Sequence, residues 1–297
     1  MNYFSNERWS QKLTSIILAV RPWSFSASVT STLLGLCLAW KENNSIDIIQ
    51  AIFTIATVLS IHGAGNLVNT YYDFINGFDT KDSDDKTLID KSLSPNEIVA
   101  CITESYIMGI MCFVAVYLRS DGNTLPMIAL FLCGVLSSFI YTGGIGLKYM
   151  ALGDILILLS FGALTTVFGY LNQTGEISLG VIIYAIPLAL NTEAILHGNN
   201  TRDLESDKSA GAVTLSILLG KQYACAMYCL LLIGPYAVLC VLALNSSWTL
   251  LFPLVTAPLA VQLSFQCFHG DMTMIPQKTA QLNLMFGVLY LTGLIIS

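Results

Sequence analysis

Charged residues are scarce in this chain. Only 11% of its 297 residues are Asp, Glu, Lys or Arg, whereas a soluble domain typically carries about 25%. Hydrophobic residues make up 55% of the chain, and the mean hydropathy is +0.68. Because such a chain cannot cover itself with a polar surface, a soluble globular protein is excluded. We expect an integral membrane protein, for which the net charge of −6 says little about partners.

The cysteines form no metal or redox pattern. None of the eight belongs to a Cys-x-x-Cys pair, and the three histidines have no zinc-ligand spacing. Nearly all of the cysteines lie in apolar runs, where a free cysteine packs as a small hydrophobic residue. We interpret them as packing residues: Cys37, Cys101, Cys112, Cys133, Cys225, Cys229, Cys240 and Cys267.

The chain opens with the polar stretch "MNYFSNERWSQK". The apolar segment behind it is too long for the core of a signal peptide, so we expect a retained membrane anchor. No separate water-facing module follows. We therefore divide the chain into a polar tail, 1–12, and one membrane domain, 13–297.

Long apolar windows recur along the whole chain. A membrane-spanning helix needs about 20 mostly apolar residues, and nine windows approach or exceed that length. The sequence therefore predicts an all-α integral membrane protein with nine transmembrane helices. The windows are 14–40, 47–72, 98–118, 125–142, 151–171, 178–198, 222–244, 248–267 and 280–297.

Basic residues predict the orientation of these helices. With nine spans, one face holds the N-terminus and the loops after helices 2, 4, 6 and 8, and the other face holds only Lys41 and Arg119. The first face should be cytoplasmic, because basic residues accumulate on that side. Its eleven basic residues are Arg8, Lys12, Arg21, Lys81, Lys86, Lys91, Lys148, Arg202, Lys208, Lys221 and Lys278.

Two stretches of the sequence resemble each other. Helix 2 ends in "GNLVNTYYDFINGFD" and helix 6 ends in "LHGNNTRDLESD", and each is followed by "TL" before the chain re-enters the membrane. Repeats in membrane folds often place a binding site between corresponding polar helix ends. The pattern therefore predicts a pseudo-repeat with its site between helices 2 and 6.

Each of these helix ends carries a column of oxygen ligands. Asn69 and Asp73 are four residues apart, as are Asn199, Asp203 and Asp207 in succession. Residues at that spacing lie on one face of a helix. Oxygen ligands suit Mg²⁺, which binds through one or two carboxylates together with substrate phosphates. Two facing columns would hold a diphosphate through Mg²⁺ and neutralise its charge as it leaves.

Acidic residues at a helix end are often only a solvated cap. The matching positions of the two clusters argue against that interpretation for the columns. It is favoured for four further aspartates that fit neither column, which are Asp82, Asp84, Asp85 and Asp90.

Basic residues accompany the acidic columns. Lys148 lies in "YTGGIGLKYMALGD", the loop after helix 4, with Tyr141 before it and Asp154 after it. A lysine here acts either as a point charge on phosphate or as a positive-inside anchor. Lys86 and Arg202, and Arg21 in "RPWSF", have the same two interpretations. For Arg21 the anchor is favoured, because Trp23 adjoins it.

Glu193 should lie inside helix 6, where ionisable residues are rare and usually face a cavity or a partner. His197 follows one turn later. A role in lining a cavity and a structural Glu–His pair both remain open.

These stretches resemble the UbiA superfamily of intramembrane prenyltransferases, from "RPWSF" to the last helix. That family has nine transmembrane helices and two aspartate-rich motifs, after helices 2 and 6. Its first motif is commonly NDxxDxxxD, but here Thr70 stands at the second position and Gly77 at the last, with an acid only at Asp79. The departure resembles the naphthoquinone branch, NxxxDxxxxxD. The second motif, DxxxD, is intact as Asp203 and Asp207.

Four stretches closely resemble the sequences of animal members of the family that make menaquinone-4. They are "AGNLVNTYYDF", "SDDKTLID", "YTGGIGLKY" and "NNTRDLESD". The resemblance implies Mg²⁺-dependent transfer of a geranylgeranyl group from its diphosphate to menadiol. It also implies residence in endoplasmic reticulum and Golgi membranes, and a possible association with HMG-CoA reductase. No nucleic-acid partner is expected.

The resemblance and the residue patterns together give one set of expected roles. The metal and diphosphate ligands are Asn69, Asp73, Asp79, Asn199, Asp203 and Asp207. Among the catalytic residues we count Asp73, Asp203 and Lys148. Substrate-binding residues are Tyr141, Lys148, Lys86, Arg202, Arg21, Glu193 and His197.

Three other functions stay open at this point. The acceptor could be 4-hydroxybenzoate, homogentisate or protohaem instead of a naphthoquinol. A transporter would suit a pseudo-repeat, although its site usually lies at the midplane of the membrane. A sterol- or reductase-binding regulator would not need the aspartate columns.

Overall fold

The computed structural model describes residues 12–79, 85–120 and 124–297. Within these ranges the secondary-structure elements are all helices. Within these described ranges, nine long helical segments follow each other, and each overlaps one of the predicted windows. They are α1 (Ser26–Asn43), α2 (Ile48–Ile75), α3 (Pro95–Arg119), α4 (Thr124–Ile140), α5 (Gly153–Thr174), α6 (Leu179–Arg202), α7 (Lys221–Asn245), α8 (Trp248–His269) and α9 (Ile275–Ile296).

Seven of these segments are long and apolar enough to cross a membrane. The exceptions are α1, which carries several Ser and Thr residues, and α4, which has 17 residues. An integral membrane protein therefore agrees with the structure, whereas nine membrane crossings stay a prediction.

The first apolar window is interrupted. Residues 12–20 are helical, but Arg21 takes a left-handed backbone conformation with φ 56°, and a 3-10 turn, Pro22–Phe25, leads into α1. Proline has no backbone N–H and disfavours helical geometry in the residue before it. The single helix expected over 14–40 is therefore wrong.

Polar and small residues of α1 lie buried against α5. The carbonyl oxygen of Thr166 approaches Gly35 so closely that a Cβ there would stand 2.1 Å from it. Small residues at such contacts let the backbones of membrane helices approach each other. The polar face of α1 is thus a packing surface inside the bundle.

The two largest of four apolar clusters in the described part of the chain join most of the long helices. One is centred on α6, α7, α8 and α9, with α1 contributing, and the other joins α2, α3, α4 and α5. Large apolar side chains on the outer faces of α3 and α4 stay exposed, as a lipid-facing surface requires. Among them are Ile107, Met111, Leu118, Leu132 and Leu136.

The loops after α2, α4 and α6 meet at one end of the bundle. The backbone N–H of Ala151 donates to the carbonyl of Val213 at 2.6 Å, and Lys148 contacts α2. At the opposite end Arg119 pairs with Asp47 at 2.6 Å. These loops therefore cover one mouth of the bundle, while the side of the membrane that this mouth faces stays a prediction.

Candidate functional site

A cavity of about 670 Å³ opens at this covered end. Eleven of the thirteen predicted site residues line it, including both aspartate-rich motifs. They are Arg21, Asn69, Asp73, Asp79, Lys86, Tyr141, Lys148, Asn199, Arg202, Asp203 and Asp207. The fold thus brings helix ends that are far apart in sequence to one space.

The first motif is centred on Asp73, which is buried near the end of α2. Asn69 donates from Nδ2 to Oδ2 of Asp73 at 2.7 Å, as the spacing of four residues predicts. Lys148 Nζ donates to the same oxygen at 2.8 Å. The hydroxyl of Tyr149 donates to Oδ1 at 2.5 Å. Both carboxylate oxygens of Asp73 therefore face donors from the loop after α4.

Tyr149 is a site residue that the sequence analysis missed. Its ring stacks on Phe78 with 4.3 Å between ring centroids, and burial raises the pKa of its hydroxyl, so the phenol stays protonated. Its only signal in the sequence is its position next to Lys148. Tyr141, at the end of α4, has a pKa raised by burial and then by Asp154 and Asp73, so it too remains a donor.

Asp79 does not continue the helical column of α2. The helix ends at Ile75, and the chain folds back so that the backbone N–H of Asp79 donates to the carbonyl of Asp73 at 3.2 Å. This turn brings the Asp79 side chain to the cavity. Burial raises the pKa of Asp79 to about 7, and the neighbouring charges of Asp73 and Asp85 act in the same direction.

The second motif repeats the geometry of the first. Asn199 donates from Nδ2 to Asp203 at 3.2 Å. Arg202 donates to Oδ1 and Oδ2 of Asp203, each at 2.7 Å, and to the side-chain oxygen of Asn199 at 3.0 Å. The Asn–Asp pair at the end of α6 is thus held by an arginine.

The spacing had predicted that the second column lies on one continuous helix. In the structure it is divided between two helices. Helix α6 ends at Arg202, and a short helix, Leu204–Ser209, carries Asp207. The backbone N–H of Asp207 still donates to the carbonyl of Asp203 at 2.8 Å. Burial raises the pKa of Asp207 to about 6, with Lys148 opposing the shift.

Arg21 is part of this site. Its Nη1 donates to the side-chain oxygen of Asn69 at 2.8 Å, and its Nη2 lies 3.3 Å from Oδ2 of Asp85. Arg21 therefore holds the first Asn–Asp pair as Arg202 holds the second. The favoured interpretation of Arg21 as an interface anchor is wrong, because its guanidinium faces the cavity.

Asp85 is a second site residue that the sequence analysis missed. Its side chain is 11% exposed and accepts hydrogen bonds from the hydroxyl of Thr70 at 2.6 Å and from the backbone N–H of Thr87 at 3.0 Å. Burial alone would raise the pKa of Asp85, but the Arg21 charge and these hydrogen bonds hold it below the usual value. The solvated-loop interpretation is thus wrong for Asp85.

That interpretation fits Asp90, which is exposed, whereas Asp82, Asp84, Lys81 and Arg8 lie outside the described residues. Lys86 is exposed at the rim of the cavity.

Glu193 and His197 do not line this cavity. Their predicted role in substrate binding stays a prediction. Nδ1 of His197 lies 2.9 Å from Oδ1 of Asp154, and Nε2 lies 3.0 Å from the carbonyl of Ala224. Glu193 is 2% exposed. The three side chains form a buried cluster whose potential ligand atoms lie within 4.8 Å of each other.

This cluster is not organised to bind metal through the histidine. Nε2 of His197 must carry a proton to donate to the carbonyl of Ala224, and Nδ1 is occupied by Asp154. A histidine ligates a metal through a free ring nitrogen. The hydrogen-bond partner of His197 is therefore Asp154 on α5. A Glu193–His197 pair was one of the two interpretations that the sequence left open.

The cavity itself has the ligands that a magnesium ion prefers. Four aspartates and two asparagines of the two motifs offer only oxygen atoms, and Mg²⁺ favours oxygen ligands shared with phosphate. Three cations, Arg21, Lys148 and Arg202, adjoin them and can contact phosphate oxygens. The residues present fit a magnesium–diphosphate group.

Further from this acidic end, apolar side chains of α4 and α5 line the cavity. They are Leu130, Phe131, Leu156, Ile157, Phe161, Leu164 and Phe168. The space is polar at one end and apolar at the other, which matches a ligand with a charged head and a hydrocarbon tail.

Comparison with known proteins gives one consistent result. A family model described as the UbiA prenyltransferase family matches residues 28–287. UbiA prenyltransferase domain-containing protein 1 of Danio rerio is 48% identical over 96% of this chain and 85% of its own length. The Homo sapiens protein of the same name is 46% identical over 97% of this chain and 86% of its own length.

Solved structures share the fold at low sequence identity. A UbiA homologue from Archaeoglobus fulgidus bound to DMAPP and Mg²⁺ aligns over 95% of this chain and 99% of its own, with a TM-score of 0.66 and 14% identity. The apo structure of a UbiA homologue from Aeropyrum pernix K1 aligns over 95% and 97%, with a TM-score of 0.65 and 16% identity.

Proposed function

Since the chain belongs to the UbiA prenyltransferase family and is an intramembrane prenyltransferase, we propose that it transfers a geranylgeranyl group to a naphthoquinol. The donor is the geranylgeranyl diphosphate, and the acceptor is reduced menadione or a close relative. The product of the transfer is the reduced (quinol) form of menaquinone-4, because alkylation leaves the ring at the oxidation state of the acceptor. The observation that carries the proposal is the convergence of both aspartate-rich motifs on one amphipathic cavity.

The acidic end of the cavity receives the diphosphate. Six residues of the two motifs would hold Mg²⁺ there: Asn69, Asp73, Asp79, Asn199, Asp203 and Asp207. When bound, Mg²⁺ supplies positive charge to the diphosphate oxygens as the C–O bond breaks. A homologue with this fold carries DMAPP and Mg²⁺, which supports the assignment of the donor end.

Basic and phenolic side chains complete the diphosphate site. Lys148 and Tyr149 come from the loop that covers the cavity, and both point at Asp73. Lys148, Arg21 and Arg202 balance the charge on the phosphate oxygens, while Tyr141 and Tyr149 stay protonated and donate hydrogen bonds. Lys86 at the rim attracts the anionic head.

The apolar end of the cavity receives the isoprenoid tail. Loss of the diphosphate leaves an allylic cation, which water would hydrolyse. A cavity inside the bundle, walled by α4 and α5, keeps water away while the electron-rich ring attacks. The ring then loses a proton to a carboxylate that does not hold the metal, and this restores its aromaticity.

The naphthoquinol acceptor is supported by the first motif. Thr70 and Gly77 depart from the common pattern, and the pattern that remains, with Asn69, Asp73 and Asp79, resembles the naphthoquinone branch. By the same resemblance, we assign the protein to endoplasmic reticulum and Golgi membranes, with the cavity mouth toward the cytosol. The resemblance also supports an association with HMG-CoA reductase. We further propose that the chain divides into a polar tail, 1–12, and a membrane domain, 13–297.

The direct test is turnover by the purified protein in liposomes. Geranylgeranyl diphosphate, reduced menadione and Mg²⁺ are supplied with and without EDTA, and mass spectrometry is used to detect menaquinone-4. We expect product only with free Mg²⁺. If diphosphate is released and 4-hydroxybenzoate or homogentisate is alkylated while menadiol is not, the prenyltransferase activity stands. The naphthoquinol acceptor is then rejected.

A further inference from the structure

Position 70, the second position of the first motif, contacts a carboxylate from elsewhere in the chain. Thr70 stands where the common family pattern has an aspartate, and it is buried beside Asn69 on α2. Its hydroxyl donates a hydrogen bond of 2.6 Å to Oδ2 of Asp85, which lies 15 residues later in the chain. A carboxylate thus lies against position 70, although α2 itself does not supply it.

Asp85 is held firmly in this place. Its Oδ1 accepts from the backbone N–H of Thr87 at 3.0 Å, which closes a local turn, and its Oδ2 faces both Thr70 and Arg21. Its side chain is almost buried and lines the cavity. Three donors on one carboxylate are more than a solvated loop residue needs, and bonds to a charged acceptor are the strong ones.

The charge of Asp85 also orients Arg21. The guanidinium bridges Asp85 and Asn69, with one nitrogen on each. Asn69 is neutral, so Asp85 is the charged partner that fixes this end of Arg21. The bridge directs Arg21 to the oxygen of Asn69, the same place that Arg202 takes on Asn199 in the second motif.

We propose that Asp85 supplies, from the loop after α2, the carboxylate that the first motif lacks at position 70. It acts as a positioning residue: it adds negative charge beside Asn69 and Asp73 and sets Arg21 for a magnesium–diphosphate group. This inference rests on the proposed function for its ligand, but it does not depend on the identity of the acceptor.

The first test is Asp85→Asn, which keeps the shape and removes the charge. Binding is measured with Mn²⁺ in place of Mg²⁺ and an unreactive thiolodiphosphate analogue of the prenyl donor, by electron paramagnetic resonance of the metal. We expect affinity to fall by about tenfold, the scale of one hydrogen bond to a charged group. Unchanged affinity would overturn the proposal.

Asp271→Asn is the matched control. Asp271 accepts from the backbone N–H of Thr273 at 2.9 Å, so it makes the same local turn as Asp85 with Thr87. It is exposed and does not line the cavity. The control should bind as the unmodified protein does, and an equal loss in both variants would overturn the proposal.

The second test moves the carboxylate. Adding Thr70→Asp to Asp85→Asn places one carboxylate at the family position, and affinity should return to within about threefold of the unmodified value, since the carboxylate–amide hydrogen bond is kept. A folded double variant that stays as weak as Asp85→Asn would overturn the proposal. These binding measurements contain no acceptor. A failure to form menaquinone-4 in the turnover assay would therefore count against the proposed function and not against the role of Asp85.

Discussion

Lys148 donates a hydrogen bond of 2.8 Å to Oδ2 of Asp73, and this contact joins the loop after α4 to the first aspartate-rich motif. The two residues are 75 positions apart in the chain. Through this contact the loop closes over the acidic end of the cavity. The lysine is thereby held where a diphosphate would need a cation.

Replacing Lys148 should therefore weaken donor binding. Lys148→Met keeps the apolar stem and removes the charge, and we expect the KM for the prenyl diphosphate to rise by about tenfold or more. Steady-state kinetics at fixed Mg²⁺ measures this. Lys278→Met is the control, because Lys278 lies at the same end of the bundle and bonds Gln266 away from the cavity. Equal KM values in both variants would contradict the role of Lys148.

Each motif should be needed for turnover. Asp73→Ala and Asp203→Ala remove a carboxylate that is expected to meet the metal, and we expect the rate to fall by at least ~10²-fold, as when one strong electrostatic contact is lost. Product formation is measured by mass spectrometry on protein that elutes as a single folded species. Asp271→Ala should retain the full rate. Near-normal turnover in either motif variant would refute its assignment.

The helices were predictable because hydropathy is a local signal. Every long segment falls in an apolar window, and Pro22 explains the break before α1. The two Asn–Asp pairs were predictable for a similar reason, since residues four apart share a helix face whatever the tertiary fold is.

Residues that enter the site from loops were not predictable. Asp85 belongs to the site only because the loop folds back onto Thr70, and Tyr149 reaches Asp73 from a position 76 residues away. The partner of His197 shows the same limit, because Asp154 is 43 residues distant. Sequence spacing gives such long-range contacts no periodic signal.

The pKa values of two motif aspartates predict how stability depends on pH. Burial raises the pKa of Asp79 to about 7 and that of Asp207 to about 6, from an ordinary 3.8. At a pH between 3.8 and these raised pKa values, the two carboxyl groups stay protonated in the folded protein, whereas they are deprotonated in the unfolded chain. The free energy of unfolding should therefore fall as pH rises from about 4 to about 7. Thermal unfolding of the metal-free protein measures it, and Asp79→Asn should flatten the dependence.

Metal binding should follow the opposite trend. A carboxylate binds a metal when it is deprotonated, so affinity for Mn²⁺ with a donor analogue should rise as pH passes from 6 to 8. Burial raises the pKa of Asp79 to about 7, which lies in this interval. Asp79→Asn should show weaker binding with a smaller pH dependence. An unchanged pH profile in that variant would mean that Asp79 does not titrate at the metal site.

Close packing of α1 on α5 should tolerate no methyl group at Gly35. A Cβ there would stand 2.1 Å from the carbonyl oxygen of Thr166 and 2.8 Å from the backbone nitrogen of Tyr170. Backbone atoms cannot move aside as a side chain can, so the helices must separate. We expect Gly35→Ala to cost about 1–3 kcal/mol, the usual range for overpacking. Gly234→Ala is the control, because its nearest neighbour is a side-chain atom of Leu190 at 3.6 Å. Thermal unfolding in detergent should separate the two variants, and equal stability would show that α1 and α5 are less closely packed than described.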